Sequence, residues 1–384
     1  MSKFINVGVD IIEHGLFEGQ YKVPNGMSYN SYLLLGEKVC LVDTVDKLAT
    51  DKWLQNLENS LNGRDIDYLI ISHAEPDHSF NIAMLINKYP NMQIVATAGC
   101  LKIISQFYAI PDNTKQIIAK DGDILDCGDR KLQFYTAPMV HWPEVMVTYD
   151  TTNQILFSAD AFGRFGISSK NDNWIDDARE YYINIVGKYG IQTQTLLKKL
   201  SVLIIKTICP LHGNVLENNI DYYINLYDIW SSYKPETQGV FIAYTTVYGN
   251  TENVAKKLYE KLQAQNIDCT ISNLTYSEIS ENIEQAFKYS HIVLATTTYE
   301  NSIFPAMNDF LNHIAHKNFQ NRRVGIIENG SWATTAGKLI KAKLAELKDI
   351  EIIEPMVSIL SAPTDTTWTK LDELAQSLIN DIKK

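Results

Sequence analysis

Long apolar runs are missing from this sequence. No stretch of about 18 consecutive apolar residues occurs among its 384 residues, so we predict no membrane-spanning helix. The N-terminal segment, MSKFINVGVDIIEHG, also lacks the basic stretch, apolar core and small-residue cleavage site of a signal peptide. These two absences predict a cytoplasmic protein.

An excess of basic residues is missing as well. Lys and Arg together number 34, whereas Asp and Glu number 45, which gives a net charge of −11. Proteins that bind nucleic acids usually carry a basic surface. We therefore expect no nucleic-acid partner.

The cysteines form no recognisable motif. The five are Cys40, Cys100, Cys127, Cys209 and Cys269, and none is spaced as C-x-x-C. An odd number of scattered cysteines argues against a disulfide framework, and the lack of C-x-x-C pairs argues against a rubredoxin or iron–sulfur centre. We interpret all five as small buried hydrophobic residues.

Two regions of different pattern divide the chain, whose length exceeds that of a typical single core. Up to about residue 236, short β-branched and aromatic runs alternate with helical stretches, which predicts a layered α/β sandwich. From about Gly239, five strand–helix alternations predict a doubly wound parallel sheet covered on both faces. The polar segment Ser231–Gly239 contains a proline and is typical of a linker, so we predict domains at 1–237 and 238–384.

The segment ISHAEPDHSF, residues 71–80, concentrates ionisable side chains. His73, Glu75, Asp77 and His78 follow the apolar run IDYLII. Such groups beside a buried strand are costly unless they are paired or bound to a ligand. One interpretation is a polar loop that happens to contain them, and the other is a metal site.

Three further residues repeat this arrangement. His141 lies between two apolar strands, Asp160 ends the run QILFSAD, and His212 follows the run SVLIIKTI. Each alone has an ordinary interpretation, as a core or turn histidine or as an aspartate that caps a turn. Together with the first cluster, they give four places where a hydrophobic strand ends in a loop that carries His or Asp. Loops of this kind build sites in α/β folds.

Three loops of the second half carry the polar and aromatic residues of a candidate ligand site. Their residues are Thr245, Thr246, Val247, Tyr248, Gly249, Asn250 and Thr251 after the first strand, Thr297, Thr298, Tyr299, Glu300 and Asn301 after the third, and Gly330, Ser331, Trp332 and Ala333 after the fourth. The first loop can cradle a phosphate at a helix N-terminus, but it lacks G-x-G-x-x-G and a P-loop lysine, so a plain capped turn is the alternative. In a sheet of order 2-1-3-4-5, the first and third loops flank the FMN site, where Tyr299 and Trp332 can stack on the ring. About the last 146 residues thus resemble flavodoxin.

The order of the His and acidic residues resembles the metallo-β-lactamase superfamily. Hydrolases of that superfamily carry H-x-H-x-D-H and usually bind zinc, whereas this chain has Glu75 in place of the second His of that motif. A carboxylate is a harder donor than imidazole and shifts the preference toward iron or manganese. With both halves considered, the sequence resembles the flavodiiron proteins (A-type flavoproteins). The resemblance implies a metallo-β-lactamase-like αββα sandwich followed by a flavodoxin-like domain that binds FMN.

Carried over residue by residue, this resemblance implies a diiron centre. One iron takes His73, Glu75 and His141, the other takes Asp77, His78 and His212, and Asp160 bridges them through its two oxygens. The three carboxylates and a bridging hydroxide offset the four positive charges of a diferrous pair. The same seven residues are the implied catalytic residues.

The implied activity is reduction of dioxygen to water, of nitric oxide to nitrous oxide, or both, with electrons supplied through FMN. The resemblance also implies a separate electron donor, such as rubredoxin or a related reductase, and a head-to-tail homodimer or a dimer of dimers. Two alternatives stay open. One is a zinc hydrolase fused to a flavodoxin-like domain, against which Glu75 argues. The other is an electron carrier whose first domain is a scaffold, against which the seven aligned ligands argue.

Overall fold

The computed structural model describes residues 4–169 and 174–384. The chain divides into two compact units, Met1–Asp228 and Ile229–Lys384. The division falls inside a helix, shortly before the predicted boundary at residue 237. No helix of the described residues is long and apolar enough to cross a membrane.

The first unit is built from short strands. In its described residues these are β1 (Ile5–Asn6), β2 (Val9–Ile11), β3 (Leu16–Phe17), β4 (Tyr21–Lys22), β5 (Met27–Tyr29), β6 (Tyr32–Leu35), β7 (Val39–Val42), β8 (Tyr68–Ile70), β9 (Gln93–Ala96), β10 (Gln116–Ile118), β11 (Ile124–Asp126), β12 (Lys131–Thr136), β13 (Met146–Asp150), β14 (Ile155–Phe157) and β15 (Thr207–Cys209). They form one sheet of order β1-β6-β7-β8-β9-β10 and another of order β11-β12-β13-β14-β15. The pairs β2-β5 and β3-β4 form separate ribbons.

Helices accompany both sheets. They are α1 (Thr50–Leu61), α2 (Pro76–Ser79), α3 (Ile82–Lys88), α4 (Ala98–Phe107), α5 (Trp174–Tyr181), α6 (Gly190–Leu200) and α7 (Ile220–Ser231), with 3-10 turns at Lys47–Ala49 and Gly187–Tyr189 and a π-helical segment at Tyr182–Val186. Helix α1 shows why such segments fold: Trp53, Leu57 and Leu61 recur every four residues and are buried. The helix ends where Asn62 adopts a left-handed conformation.

A shared core lies between the two sheets. Tyr32, Val42 and Val95 of the first sheet and Phe134 and Phe157 of the second belong to one buried cluster. Strands β7, β8 and β9 are neighbours in the first sheet and run parallel, so their carboxyl ends lie at the same edge of that sheet. This arrangement confirms the predicted layered sandwich.

The second unit alternates strands and helices. Its elements are β16 (Thr237–Tyr244), α8 (Asn250–Gln263), β17 (Asp268–Asn273), α9 (Ile279–Lys288), β18 (Tyr289–Tyr299), β19 (Ser302–Ile303), α10 (Pro305–His316), β20 (Arg322–Gly330), α11 (Ala336–Leu344), β21 (Ile350–Leu360) and α12 (Asp365–Ile382). The sheet order β17-β16-β18-β20-β21 is entirely parallel and confirms the predicted order 2-1-3-4-5. Strand β19 pairs antiparallel with β18 and was not predicted.

Helix α9 begins earlier than its apolar pattern indicates. The pattern starts at Ile283, whereas the helix starts at Ile279. The extra turn contains Asn282, whose side-chain amide donates hydrogen bonds to Ser277 Oγ (2.7 Å) and the Glu278 carbonyl (2.8 Å). A polar residue can therefore be buried in that turn without an unsatisfied group.

Candidate metal centre and flavin pocket

Loops at the ends of strands carry the seven predicted metal ligands. His73 lies just beyond β8, and Asp77 and His78 lie in the short helix α2. Asp160 follows β14 and His212 follows β15, and these two strands are parallel neighbours. Since parallel strands end at the same sheet edge, residues distant in sequence come together there. The structure brings all seven into two adjacent groups.

The first group contains His73, Glu75 and His141. Glu75 Oε2 lies 3.0 Å from His73 Nε2 and 3.1 Å from His141 Nε2. One oxygen of Asp160, Oδ2, lies 3.5 Å from His73 Nε2 and 3.3 Å from His141 Nε2. The four side chains therefore direct nitrogen and oxygen donors toward one point.

The second group contains Asp77, His78 and His212. Asp77 Oδ2 lies 3.3 Å from the Nε2 atoms of both histidines. The other oxygen of Asp160, Oδ1, lies 3.2 Å from His78 Nε2 and 3.5 Å from His212 Nε2. Asp160 is thus shared, with one oxygen facing each group.

The donor chemistry of this cluster fits two cations. Four imidazoles and three carboxylates converge, and His73, His78, Asp160 and His212 are each at most 1 % exposed. Within the described chain, both Asp160 oxygens and His78 Nε2 are buried without a hydrogen bond of ordinary geometry. Buried polar atoms left in this way are costly, and a metal ion relieves that cost.

Protons balance part of the charge in the metal-free protein. Burial disfavours charged His73, but hydrogen bonds to Glu144 and Glu75 raise its pKa well above the ordinary value. Burial raises the pKa of Asp77 to about 8. For Asp160, burial is outweighed by His78 and His141, which hold its pKa well below the ordinary value. Metal binding must displace the protons on His73 and Asp77, so we expect the affinity for metal ions to rise with pH.

Two hydrogen bonds behind the ligands were not predicted. His73 Nδ1 lies 2.8 Å from Glu144 Oε1, which also accepts from Ala74 N at 3.0 Å. His212 Nδ1 lies 2.8 Å from the Ser28 carbonyl oxygen. Each leaves Nε2 free to face the centre. The only sequence signal for Glu144 was the presence of an acidic residue three positions after His141.

A cavity of about 280 Å³ lies beside Glu75 and Asp77. Other residues that line it are His14, Leu16, Phe17, Glu18, Tyr29, Asp46, Leu48 and Pro76. The Phe17 and Tyr29 rings lie 5.5 and 5.6 Å from the His212 ring. Two further aromatic rings lie near His212: the Tyr181 ring is 5.6 Å from the His212 ring, and the Phe165 ring is 5.2 Å from that of Tyr181.

A second cavity, of about 430 Å³, lies at the carboxyl ends of the strands of the second unit. Its lining residues are Thr246, Val247, Tyr248, Asn250, Thr251, Thr297, Thr298, Tyr299, Glu300, Asn301, Asn329, Gly330, Ser331, Trp332, Ala333 and Ser361. All three predicted flavin loops contribute. Asn329 and Ser361 were not predicted, and Thr245 and Gly249 lie outside the lining.

Local contacts explain the shape of this cavity. The Thr245 hydroxyl is buried and lies 2.7 Å from that of Thr296, which turns it away from the cavity. Gly249 has a φ of 86° and immediately precedes α8, so its conformation turns the chain into the helix. Tyr248 and Trp332 are 91 % and 94 % exposed, which leaves their faces available to a planar ligand.

Comparison with known proteins identifies the family. The family model described as ODP family β-lactamase matches residues 27–213, and that of a flavodoxin domain matches residues 241–351. The anaerobic nitric oxide reductase flavorubredoxin of Salmonella typhi is 30 % identical over 339 residues, which cover 85 % of this chain and 70 % of that protein. The chain belongs to the flavodiiron family.

Solved structures match nearly the full length of this chain. The rubredoxin oxygen:oxidoreductase of Desulfovibrio gigas superimposes with a TM-score of 0.92 at 25 % identity, over 99 % of this chain and 97 % of that one. A flavo di-iron protein variant from Thermotoga maritima gives 0.88 at 25 % identity, over 98 % and 95 %. Flavodiiron proteins hold a diiron centre in the β-lactamase-like domain and FMN in the flavodoxin domain. The donor set and the second cavity of this chain fit these two cofactors.

Proposed function

We propose that this flavodiiron protein reduces dioxygen to water, nitric oxide to nitrous oxide, or both. The observation that carries the proposal is the Asp160 carboxylate, whose two oxygens each face a separate group of His and acidic donors. The named relatives support it, since one is a nitric oxide reductase and the other a rubredoxin oxygen:oxidoreductase.

The same geometry supports a ligand assignment. In this proposal His73, Glu75 and His141 hold one iron, Asp77, His78 and His212 hold the other, and Asp160 bridges them. Glu75 distinguishes between iron and zinc, because a carboxylate in place of a third imidazole in the first group favours iron. A zinc hydrolase is the less favoured alternative for that reason.

The protein's own groups orient and isolate the centre. When bound, the two irons and FMN supply the electrons for reduction of a diatomic substrate. Glu144 and the Ser28 carbonyl keep a proton on Nδ1 of His73 and His212, so that Nε2 of each ring points inward. The cavity of about 280 Å³ is suited to a small substrate. At its wall, His14 Nε2 and the Tyr29 hydroxyl are hydrogen-bonded at 2.7 Å, beside a reaction that consumes protons.

The flavin loops support the binding of FMN by the second unit. Thr246, Thr251 and Asn250 present hydroxyl, amide and backbone N–H groups at the N-terminus of α8, which suits the FMN phosphate. Tyr299 ends β18 and Trp332 lies in the loop after β20, where an isoalloxazine ring needs aromatic neighbours.

We further propose a head-to-tail homodimer, or a dimer of such dimers, and a separate electron donor such as rubredoxin. Electron transfer weakens steeply with distance, and the two sites belong to different units of the chain. In a two-fold dimer the FMN of one protomer can face the irons of its partner, and each interface patch is used twice. The name of the Desulfovibrio gigas relative supports a rubredoxin-type donor. The cytoplasmic location stays a prediction.

Metal content and turnover test the activity. Purified protein should contain two irons and one FMN per chain, and the reduced protein should consume dioxygen, nitric oxide or both in parallel anaerobic assays. Stoichiometric zinc with no iron, after growth in iron-replete medium, would reject the proposal.

Complementation tests the dimer. One inactive variant lacks the ligands His73 and Asp160, and the other carries a change that prevents FMN binding. Co-refolded heterodimers should regain activity at one cross-chain site. The dimer would be rejected if the heterodimers stayed inactive while wild-type monomers obtained by dilution were fully active.

A further inference from the structure

Two of the five cysteines face each other inside the first unit. Cys40 Sγ and Cys127 Sγ are 3.4 Å apart, and both residues are fully buried. In the described residues, 4–169 and 174–384, no other pair of cysteine sulfurs is in contact, and all five cysteines are free thiols. The two residues are 87 positions apart in sequence, so only the fold brings them together.

We propose that Cys40 and Cys127 form a site of reversible oxidation, at which peroxide converts the dithiol into a disulfide. This inference is independent of the proposed function. A disulfide requires a sulfur–sulfur distance of about 2.05 Å. The two sulfurs therefore need to approach by a little over an ångström, which small adjustments of the side chains and of the adjoining turn can supply.

The buried pair lies beside two exposed turns. Cys127 lies in the turn between β11 and β12, where its neighbours Asp126 and Gly128 are exposed. This turn packs on the turn between β6 and β7: Asp129 Oδ1 accepts a hydrogen bond from Glu37 N at 3.0 Å. Exposed residues of both turns therefore lie next to the buried pair, and a local opening of either turn admits a small oxidant.

The charges around the pair favour a reaction that begins at Cys127. A hydrogen bond from Cys40 lowers the pKa of the Cys127 thiol, and Arg130, which is also buried, acts in the same direction. The same pairing raises the pKa of Cys40. Since the thiolate is the nucleophile, Cys127 is the attacking sulfur and Cys40 the resolving one.

The chemistry balances with hydrogen peroxide as the oxidant. The Cys127 thiolate attacks one peroxide oxygen, the O–O bond breaks, and a sulfenic acid and hydroxide result. Cys40 then attacks the Cys127 sulfur, the S–O bond breaks, and the departing oxygen takes the Cys40 proton and leaves as water. The hydroxide from the first step takes the proton that Cys127 released when it ionised. In total, two thiols and one peroxide yield one disulfide and two water molecules.

This disulfide joins the two sheets without touching the metal ligands. Cys40 lies near the start of β7, aligned with Tyr68 at the start of β8, whereas His73 follows the opposite end of β8. We therefore expect oxidation to leave metal content unchanged. A cross-link over 87 residues restricts the unfolded chain, so we also expect the oxidised protein to melt at a higher temperature.

Thiol mapping on the full, metal-loaded chain tests the proposal. The protein is reduced, freed of reductant, treated with hydrogen peroxide, denatured in an alkylating reagent and digested for mass spectrometry. We expect a linked Cys40–Cys127 peptide, lighter than the two reduced peptides by two hydrogen atoms, and alkylated Cys100, Cys209 and Cys269. Dithiothreitol should restore five reactive thiols.

Two variants sharpen this test. Cys40→Ala should abolish the linked peptide and leave Cys127 as a sulfenic or sulfinic acid, whereas the buried control Cys100→Ala should keep the link. If Cys40→Ala does not fold, the wild-type map decides by itself. Five alkylated thiols after peroxide treatment, or oxidation of Cys127 with Cys40 still alkylated in the wild-type protein, would overturn the proposal.

Discussion

Glu144 Oε1 lies 2.8 Å from His73 Nδ1, and both residues are almost fully buried. The carboxylate fixes the ring so that His73 Nε2 faces Glu75 and Asp160. A buried anion behind a metal-binding imidazole also increases the basicity of that ligand. Glu144 is therefore a positioning residue whose effect reaches the metal only through His73.

Glu144→Gln tests this role because it keeps the size of the side chain and removes its charge. We expect iron affinity to fall by about 10- to 100-fold, measured by competition with a chelator. The exposed residue Glu37 offers a matched control, Glu37→Gln. An unchanged iron affinity in Glu144→Gln would show that its carboxylate has no part in metal binding.

Asp160→Asn should affect both metal positions at once, because each oxygen of Asp160 faces a different group. An amide replaces one anionic oxygen by a nitrogen that cannot bind a cation in the same way. We expect loss of both irons by elemental analysis, with FMN retained. Asp112→Asn, at an exposed position, serves as the control. Full retention of one iron would show that Asp160 belongs to one group alone.

Glu75→His recreates the H-x-H-x-D-H pattern of the zinc hydrolases. The change replaces a hard oxygen donor by imidazole, so iron occupancy should fall, zinc occupancy should rise and reductase turnover should be lost. FMN should stay bound because its cavity lies in the other unit. Iron content and turnover equal to those of the wild type would remove Glu75 from the ligand set.

Gly330→Ala should disturb the flavin pocket. A Cβ atom at this position would lie 1.9 Å from the Ala333 carbonyl oxygen, so the loop that carries Trp332 must shift. We expect FMN affinity to fall at least about tenfold, measured by flavin fluorescence, while iron content is unchanged. Gly15→Ala, where no atom lies within 4 Å of the added methyl group, is the control. Wild-type FMN affinity would mean that the loop shape does not govern binding.

His291 should make stability depend on pH. Burial lowers its pKa below the ordinary value of 6.5, although Asp381 at 3.0 Å opposes this. The folded state therefore disfavours the charged ring, so this contribution to stability is present above pH 6.5 and declines as the pH falls below it, by at most about 1.4 kcal/mol per pH unit.

Thermal unfolding of the full chain at pH 7 and pH 5 measures this effect. The fall in melting temperature should be smaller for His291→Asn than for the wild type. The half-exposed His313 provides the control variant, His313→Asn, which should behave like the wild type. Equal pH dependence in all three proteins would contradict the assignment.

The sequence by itself determined the architecture of both units and the residue types of the centre. The continuous apolar run of β16 and the periodic apolar positions of α8 are local patterns, so a parallel sheet covered by helices could be predicted from them. The strand order 2-1-3-4-5 came with the resemblance to flavodoxin. The seven His and acidic residues could be chosen because each follows an apolar strand, and strand ends meet at one sheet edge. The three flavin loops followed from the same rule.

Only the tertiary structure decided which groups touch. Glu144 reaches His73 across 71 positions, Ser28 reaches His212 across 184, and Cys40 reaches Cys127 across 87. Such pairs depend on the register and stacking of two sheets. A periodic pattern within one segment of the sequence cannot reveal them. The cysteines were rightly interpreted from sequence as buried, yet the contact between two of their sulfurs exists only because the turns of two different sheets pack on each other.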